Sequence, residues 1–292
     1  MIAAELSVPV ATPQLRLRLR RRGALPGFGL SLGVTIAYLS LLVLLPLAAL
    51  VWRATSISMA ELLSSLTGAR ARASFALSFA TSAAAASINV VFGFAVAWVL
   101  ARYRFWGRSI IDTLVDLPFA LPTAVAGIAL TAIWAETGWL GSHLAARGIQ
   151  VAYTPIGITL ALVFVGLPFV VRTVEPVLQE LDPQVEEAAA VLGAGRLRAF
   201  FTVVLPVVAP SLLTGFSLAF ARALGEYGSV VFISGNMPLR TEIVPLLIVT
   251  RLEQFDYAGA TAISVVMLAS SFMVLLGVNL LQSRWRQLRE GR

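Results

Sequence analysis

Arg222 and Glu226 stand four residues apart in an otherwise apolar stretch, so a helix places both on one face. A lone charge at the centre of a bilayer costs about 2.5 to 3.5 kcal/mol on insertion scales, and mutual pairing lowers that cost. Such a pair can border a solute path or gate, or it can lock helices together; the residues leave both readings open. Asp112 and Asp116 repeat the spacing at the start of another apolar stretch, either lining an inner mouth or marking a solvated helix end. Other carriers of chemistry are scarce. The chain has no cysteine, which removes disulfides, thiolate metal sites and cysteine nucleophiles. Its single histidine, His143, falls in an expected outer loop with no cysteine or carboxylate cluster to complete a metal site. There is no G-x-S-x-G elbow, which argues against an intramembrane hydrolase.

The elements that must position these residues are membrane helices. The chain has 292 residues, 58% of them hydrophobic and 13% charged, with a mean hydropathy of +0.86. That is too apolar for a soluble domain. Six continuous apolar runs of about 20 residues predict helical spans over roughly 28–52, 75–101, 112–134, 155–178, 207–234 and 257–281. The runs do not alternate with period two, so a transmembrane barrel is excluded. The fold class expected is all-α and polytopic. Leu121-Pro122-Thr123 with Gly127, and Pro206 with Pro210, interrupt helical hydrogen bonding and predict kinks, either along a pathway or in simple packing.

The net charge of +7 comes from 22 basic residues, all arginine. In so apolar a chain they read as topology determinants rather than a nucleic-acid surface. Fifteen of them, in the N-terminal run Arg16 to Arg22, after the second span, around the fourth and at the C-terminus, fall on one side; six, from Arg53 to Arg251, fall on the other. Both termini and the 182–206 loop are thereby expected to be cytoplasmic. The organisation is a tail over 1–27, a transmembrane domain over 28–282 with its core from about 75, and a second tail over 283–292. The first span is too long for a cleaved signal. Leu15 to Arg22 suits a membrane-surface anchor touching lipid, with disorder up to about Gly27.

Between two spans, Asp182 to Pro206 forms an unusually organised polar segment. Asp182 can cap a helix, Pro183 suits its first position, and Gly193 can supply the left-handed residue after its end, giving about ten helical residues. Val185, Ala188, Ala189 and Leu192 make a narrow small-residue stripe from which Glu186 and Glu187 project. The stripe suits a shallow protein groove. The segment resembles the signature of permease subunits of ABC importers: E-A-A, three residues, G, nine residues, an aliphatic residue, any residue, L-P. Here it is carried by Glu187, Ala188, Ala189, Gly193, Val203, Leu205 and Pro206, with Val203 where isoleucine is more usual. The resemblance implies a type I importer permease fold in which this helix docks on a partner ATPase. The chain's own composition agrees, because without lysine it cannot build the G-x-x-x-x-G-K-[ST] loop that holds nucleotide phosphates. No cofactor is expected on the chain itself, ATP being used by the partner.

Phe220 to Asn236, then Met237 to Glu242, and Leu252 to Leu268 resemble sulfate/thiosulfate permeases of the CysT type. Arg222 to Gly228 is shared in outline with molybdate permeases; Gln254-Phe255-Asp256-Tyr257 favours sulfate. The resemblance implies two ATPase subunits, a homologous CysW-type permease and an external sulfate-binding protein as partners, and no nucleic acid. Arg222, Glu226, Ser229, Ser234 and Asn236 are the candidates for the substrate path or gate. A molybdate or other oxyanion permease is the alternative, and behind it a carrier or channel working alone.

Overall fold

The structure is a computed structural model that describes residues 28–290. The expected membrane anchor and disorder before Phe28 lie outside the described residues. Every regular element among the described residues is helical. The chain divides into two compact units, residues 1–49 and 50–292. Most of helix α1 (Phe28–Thr55), including a π-helical turn at Ser40–Leu44, belongs to the first. The second holds α2 (Met59–Thr67), α3 (Ala69–Arg102), α4 (Arg108–Ala120), α5 (Thr123–Trp134), α6 (Gly141–Ala145), α7 (Pro155–Glu180), α8 (Pro183–Val191), α9 (Arg196–Leu224), α10 (Gly228–Ser234), α11 (Val244–Glu253) and α12 (Tyr257–Glu290). Among the described residues five helices are long and apolar enough to cross a membrane, and α4 with α5 makes a sixth span if the bent pair is counted as one.

The core forms where α3, α7 and α9 meet. The buried face of α3 recurs every three or four residues and is built mostly of small side chains: Ala71, Ser74, Ser78, Ser82, Ala86, Asn89, Gly93 and Ala97. Small residues let helix backbones approach closely, which lipid, being as apolar as leucine, does not otherwise promote. Val170 of α7 sits at the closest point. A Cβ on Gly93 of α3 would lie 2.9 Å from its Cγ1, and one on Gly215 of α9 would lie 3.0 Å from its Cα. Val171, Val174, Val208, Phe220 and Leu224 complete this cluster.

Two of the six expected spans are broken. Leu121 is extended (φ −84°, ψ 135°), as the residue before a proline prefers, and α4 and α5 diverge there by 113°. The expected span over 207–234 is corrected more substantially. Its helix α9 begins at Arg196, stops at Leu224, and is followed by Gly225, Glu226 and Tyr227 before the separate helix α10. The break needs no proline, because Glu226 turns back to cap α10 from the side. The two short helices α5 and α10 then pack backbone to backbone: a Cβ on Gly127 would clash with the Ser229 carbonyl, and one on Gly228 with Thr123. The remaining spans are longer than the sequence suggests, α3 by several residues at its start and α12 by nine at its end.

Replacing Gly93 by leucine is expected to lower stability by about 1 to 3 kcal/mol through overpacking against Val170. Gly277→Leu, where an added Cβ meets nothing within 4 Å, is the control expected to change little. Thermal unfolding of the detergent-solubilised protein measures both.

Candidate coupling helix and substrate path

Helix α8 is defined at both ends by its own residues. Asp182 Oδ1 accepts from the Gln184 N–H at 2.9 Å, and Pro183 occupies the first helical position. At the other end Gly193 is left-handed (φ 84°). Its N–H donates to Ala190 O at 2.9 Å and that of Ala194 to Ala189 O at 3.0 Å, the paired bonds of a Schellman stop. The helix is nine residues long, close to the ten expected.

Two faces result. Val185, Glu187 and Ala188 are exposed, and Val191 and Leu192 are each 87% exposed. Ala189 is half-buried, and Ala190 and Ala194 turn towards a cavity of about 310 Å³ with Trp98, Phe200 and Val204. Glu186 departs from expectation: instead of projecting with Glu187 it forms an ion pair with Arg102 at the end of α3. The Arg102 guanidinium lies 5.5 Å over the Trp98 ring. Trp98 in turn packs edge-on against Phe200 at 6.0 Å, and Phe94 lies within 5.8 Å of both rings. The helix is therefore held from behind by one ion pair and an aromatic cluster while its other face stays open. Leu205 and Pro206 do not belong to this surface. They lie half-buried well inside α9, directly after a π-helical turn at Phe200–Val204; Pro206 lacks the N–H that a regular helix would use there.

The second set of candidates gathers around the α9–α10 break. Glu226 is almost fully buried. Its Oε2 pairs with Arg222 Nη2 at 2.7 Å, and its Oε1 accepts from the Ser229 N–H at 2.9 Å and the Ser229 hydroxyl at 3.0 Å. One carboxylate thus neutralises an arginine and caps a helix. Arg222 keeps 36% of its side chain exposed. Ser234 and Asn236 sit at the far end of α10. The Ser234 hydroxyl accepts from the Asn236 N–H at 3.2 Å, next to the left-handed Gly235 (φ 68°). Asn236 Nδ2 reaches Thr250 Oγ1 at 3.4 Å. The five candidates thus bracket one short helix, Arg222, Glu226 and Ser229 at its start and Ser234 and Asn236 at its end.

Three ionic contacts are not legible in sequence. Glu242, fully buried, receives Arg70 Nε and Nη2, each at 2.6 Å, across 172 residues. Arg102 meets Glu186, and Arg172 meets Asp112 and Asp116. His143 lies in α6 with its Nδ1 3.0 Å from Trp139 O, and among the described residues no group of histidine, cysteine and carboxylates could hold a metal.

The chain thus sets a short capped helix with one open face between two long apolar spans, α7 and α9. Residues 90–287 match the family described as binding-protein-dependent transport system inner membrane component, and the chain belongs to it. It is 47% identical to the sulfate transport system permease protein CysT of Salmonella typhimurium over 92% of this chain and 97% of that one. It is likewise 47% identical to the CysT protein of Escherichia coli over 90% and 95% of the two chains. The crystal structure of a bacterial ABC transporter involved in the import of the acidic polysaccharide alginate has a chain of the same fold: TM-score 0.69 at 16% identity, covering 88% of this chain and 94% of that one. The chain is thus a permease subunit, the non-catalytic inner-membrane component of a binding-protein-dependent ABC importer.

Glu226→Ala removes both the counter-charge of Arg222 and the cap of α10, and is expected to cost about 1 to 3 kcal/mol. Glu226→Gln keeps an acceptor for Ser229 and should cost less. Denaturation midpoints of the two variants in detergent give the comparison.

Proposed function

We propose that this permease carries sulfate, or the closely similar thiosulfate, inward by alternating access, driven by two ATPase subunits that dock on α8. In this reading α8 and both termini face the cytoplasm, as the arginine bias requires. A homologous permease of the CysW type completes the membrane pathway, and an external sulfate-binding protein delivers the anion. The anion class rests on the near full-length 47% identity to the two CysT proteins. The mode of coupling rests on one observation, the open face of α8 formed by Val185, Glu187, Ala188, Val191 and Leu192. A helix offering small and aliphatic side chains fits a groove on a partner, and a chain without lysine leaves the grip on nucleotide phosphates to that partner. Ala189 and Gly193 serve the same contact indirectly, the first by close packing beneath α8 and the second by the sharp exit of the chain. ATP binds the partner subunits and no cofactor is assigned to this chain.

For the solute, Arg222 has donors to spare at the α9–α10 break. A dianion in a path of low dielectric needs positive or N–H groups to replace water. Arg222 beside the α9–α10 break, with Ser229, Ser234 and Asn236 along α10, offers a transient polar lining, while Glu226 prevents Arg222 from holding the anion too tightly.

Two outcomes are expected in proteoliposomes that contain the permeases and ATPases, with the binding protein present. Labelled sulfate should enter only with ATP and binding protein, and excess molybdate should compete poorly. Uptake by this chain in vesicles without ATPase would instead identify a carrier or channel. Gly193→Leu, which forces a leucine into the left-handed region at about 1 to 2 kcal/mol, and Leu192→Glu should each leave the chain in the membrane but abolish substrate-stimulated ATP hydrolysis.

A further inference from the structure

Arg172 is the most fully bonded charge among the described residues. Its Nε donates to Asp116 Oδ1 at 2.9 Å and its Nη2 to Asp116 Oδ2 at 2.6 Å. Nη1 donates to Asp112 Oδ1 at 2.7 Å and to Glu175 Oε2 at 2.9 Å, and Nη2 also reaches the Asp112 backbone carbonyl at 3.0 Å. All five N–H donors of a guanidinium are used. Gln179 Nε2 holds the other oxygen of Glu175 at 2.9 Å, fixing that carboxylate as well. The acceptors from Asp112 and Asp116 lie one turn apart on α4, and Arg172 and Glu175 lie one turn apart on α7.

The position of this fork in the chain gives it a consequence. Helix α7 ends at Glu180, and only Leu181 and Asp182 separate it from α8. On its other side α8 is tied through Glu186 to Arg102, the last residue of α3, and six residues further on α4 begins, after the left-handed Gly107 (φ 91°). Beyond Asp116, α4 runs only to Ala120 before the 113° bend at Leu121-Pro122. A displacement of α8 thus reaches α7 along the backbone, and α4 is joined to α7 by a planar, multiply bonded group that fixes the register of the apolar contacts beside it, Phe119 edge-on to Phe169 at 5.2 Å and Val115 in the buried cluster of Val170 and Val171. A lysine in the same place would offer three donors on a flexible stem and could not bridge both aspartates and Glu175 in a fixed plane.

We propose that Arg172 is the positioning residue that makes α4 follow α7, so that force entering at α8 reaches the broken span α4–α5 and turns it about Leu121-Pro122. This rests on the docking of the ATPases at α8. The three carboxylates leave the fork two negative charges in excess, so it stays anchored if any one acceptor is lost, whereas loss of the arginine releases α4 and leaves three carboxylates to repel one another.

The test uses the assembled importer in proteoliposomes, with Arg172→Gln, Arg172→Lys and Asp116→Asn beside Gly193→Leu. Arg172→Gln is expected to keep the basal ATPase rate and the KM for ATP, while binding-protein stimulation and uptake both fall fivefold or more, within the range of a typical coupling free energy. Arg172→Lys should fall between it and wild type, and Asp116→Asn should stay near wild type. Because the chain has no cysteine, spin labels on cysteines at the exposed Ser109 and Glu180 read α4 against α7 directly. Their distance should stay single and unchanged by nucleotide with Arg172 present, and broaden or shift with nucleotide in Arg172→Gln. If Arg172→Gln prevents assembly, the same labels in Arg172→Lys give the answer. Full stimulation and uptake in Arg172→Gln, or an unchanged label distance in Arg172→Gln or Arg172→Lys, overturns the proposal. If Gly193→Leu alone loses stimulation, only the role of Arg172 fails; if Gly193→Leu keeps it too, the docking reading fails with it.

Discussion

Everything in the larger unit depends on how closely α3, α7 and α9 approach at Val170. Lipid gives helices little hydrophobic reason to associate, so contact area and backbone proximity must hold them. Gly93 and Gly215 supply that proximity from two sides, and the run of alanine and serine on the buried face of α3 extends it along the helix. The same economy recurs where α5 meets α10 through Gly127 and Gly228. Three rigidly packed helices make a frame to which α8 is attached three times, by chain to α7 at its start and to α9 at its end, and by the Arg102–Glu186 pair on its inner face.

Against this frame the charges fall into two kinds. Glu242 with Arg70, Glu226 with Arg222, and Arg172 with its three carboxylates are each met by partners with good geometry. A buried charge left alone would cost far more than such pairs return, so pairing is a condition of their presence rather than proof of large net stability. Arg172 has all five donors engaged, whereas Arg222 and Arg70 do not, and of these two Arg222 stands at a helix break. In the proposed path that position, more than its charge, is what would suit Arg222 to a passing anion.

The sequence was most legible where local rules act alone. Asp182, Pro183 and Gly193 define α8 within one residue, because caps and left-handed stops depend on neighbours close in the chain. Pro122 signalled the break between α4 and α5, though not its 113° size, which is set by the packing of α5 on α10. The end of α9 at Leu224 left no such mark: Gly225 and Tyr227 interrupt an apolar run without proline, and the cap is a glutamate that the i, i+4 pattern had already paired with Arg222. The i, i+4 spacing of Asp112 and Asp116 was equally visible. Their partner was not, because Arg172 is about 60 residues away and reads, on hydropathy alone, as one more topology arginine. Glu186 and Glu187 are neighbours of the same type, and only the position of Arg102 distinguishes the tether from the free surface.

The open face of α8 is the proposed point at which an ATPase touches this chain. A chain with no native cysteine allows that to be measured directly, with a single cysteine at Ala188 and a short homobifunctional thiol crosslinker in the assembled importer. The account predicts an adduct between permease and ATPase, with none from a cysteine at the exposed Ser142 of α6. Crosslinking from Ser142 but not from Ala188 would contradict it.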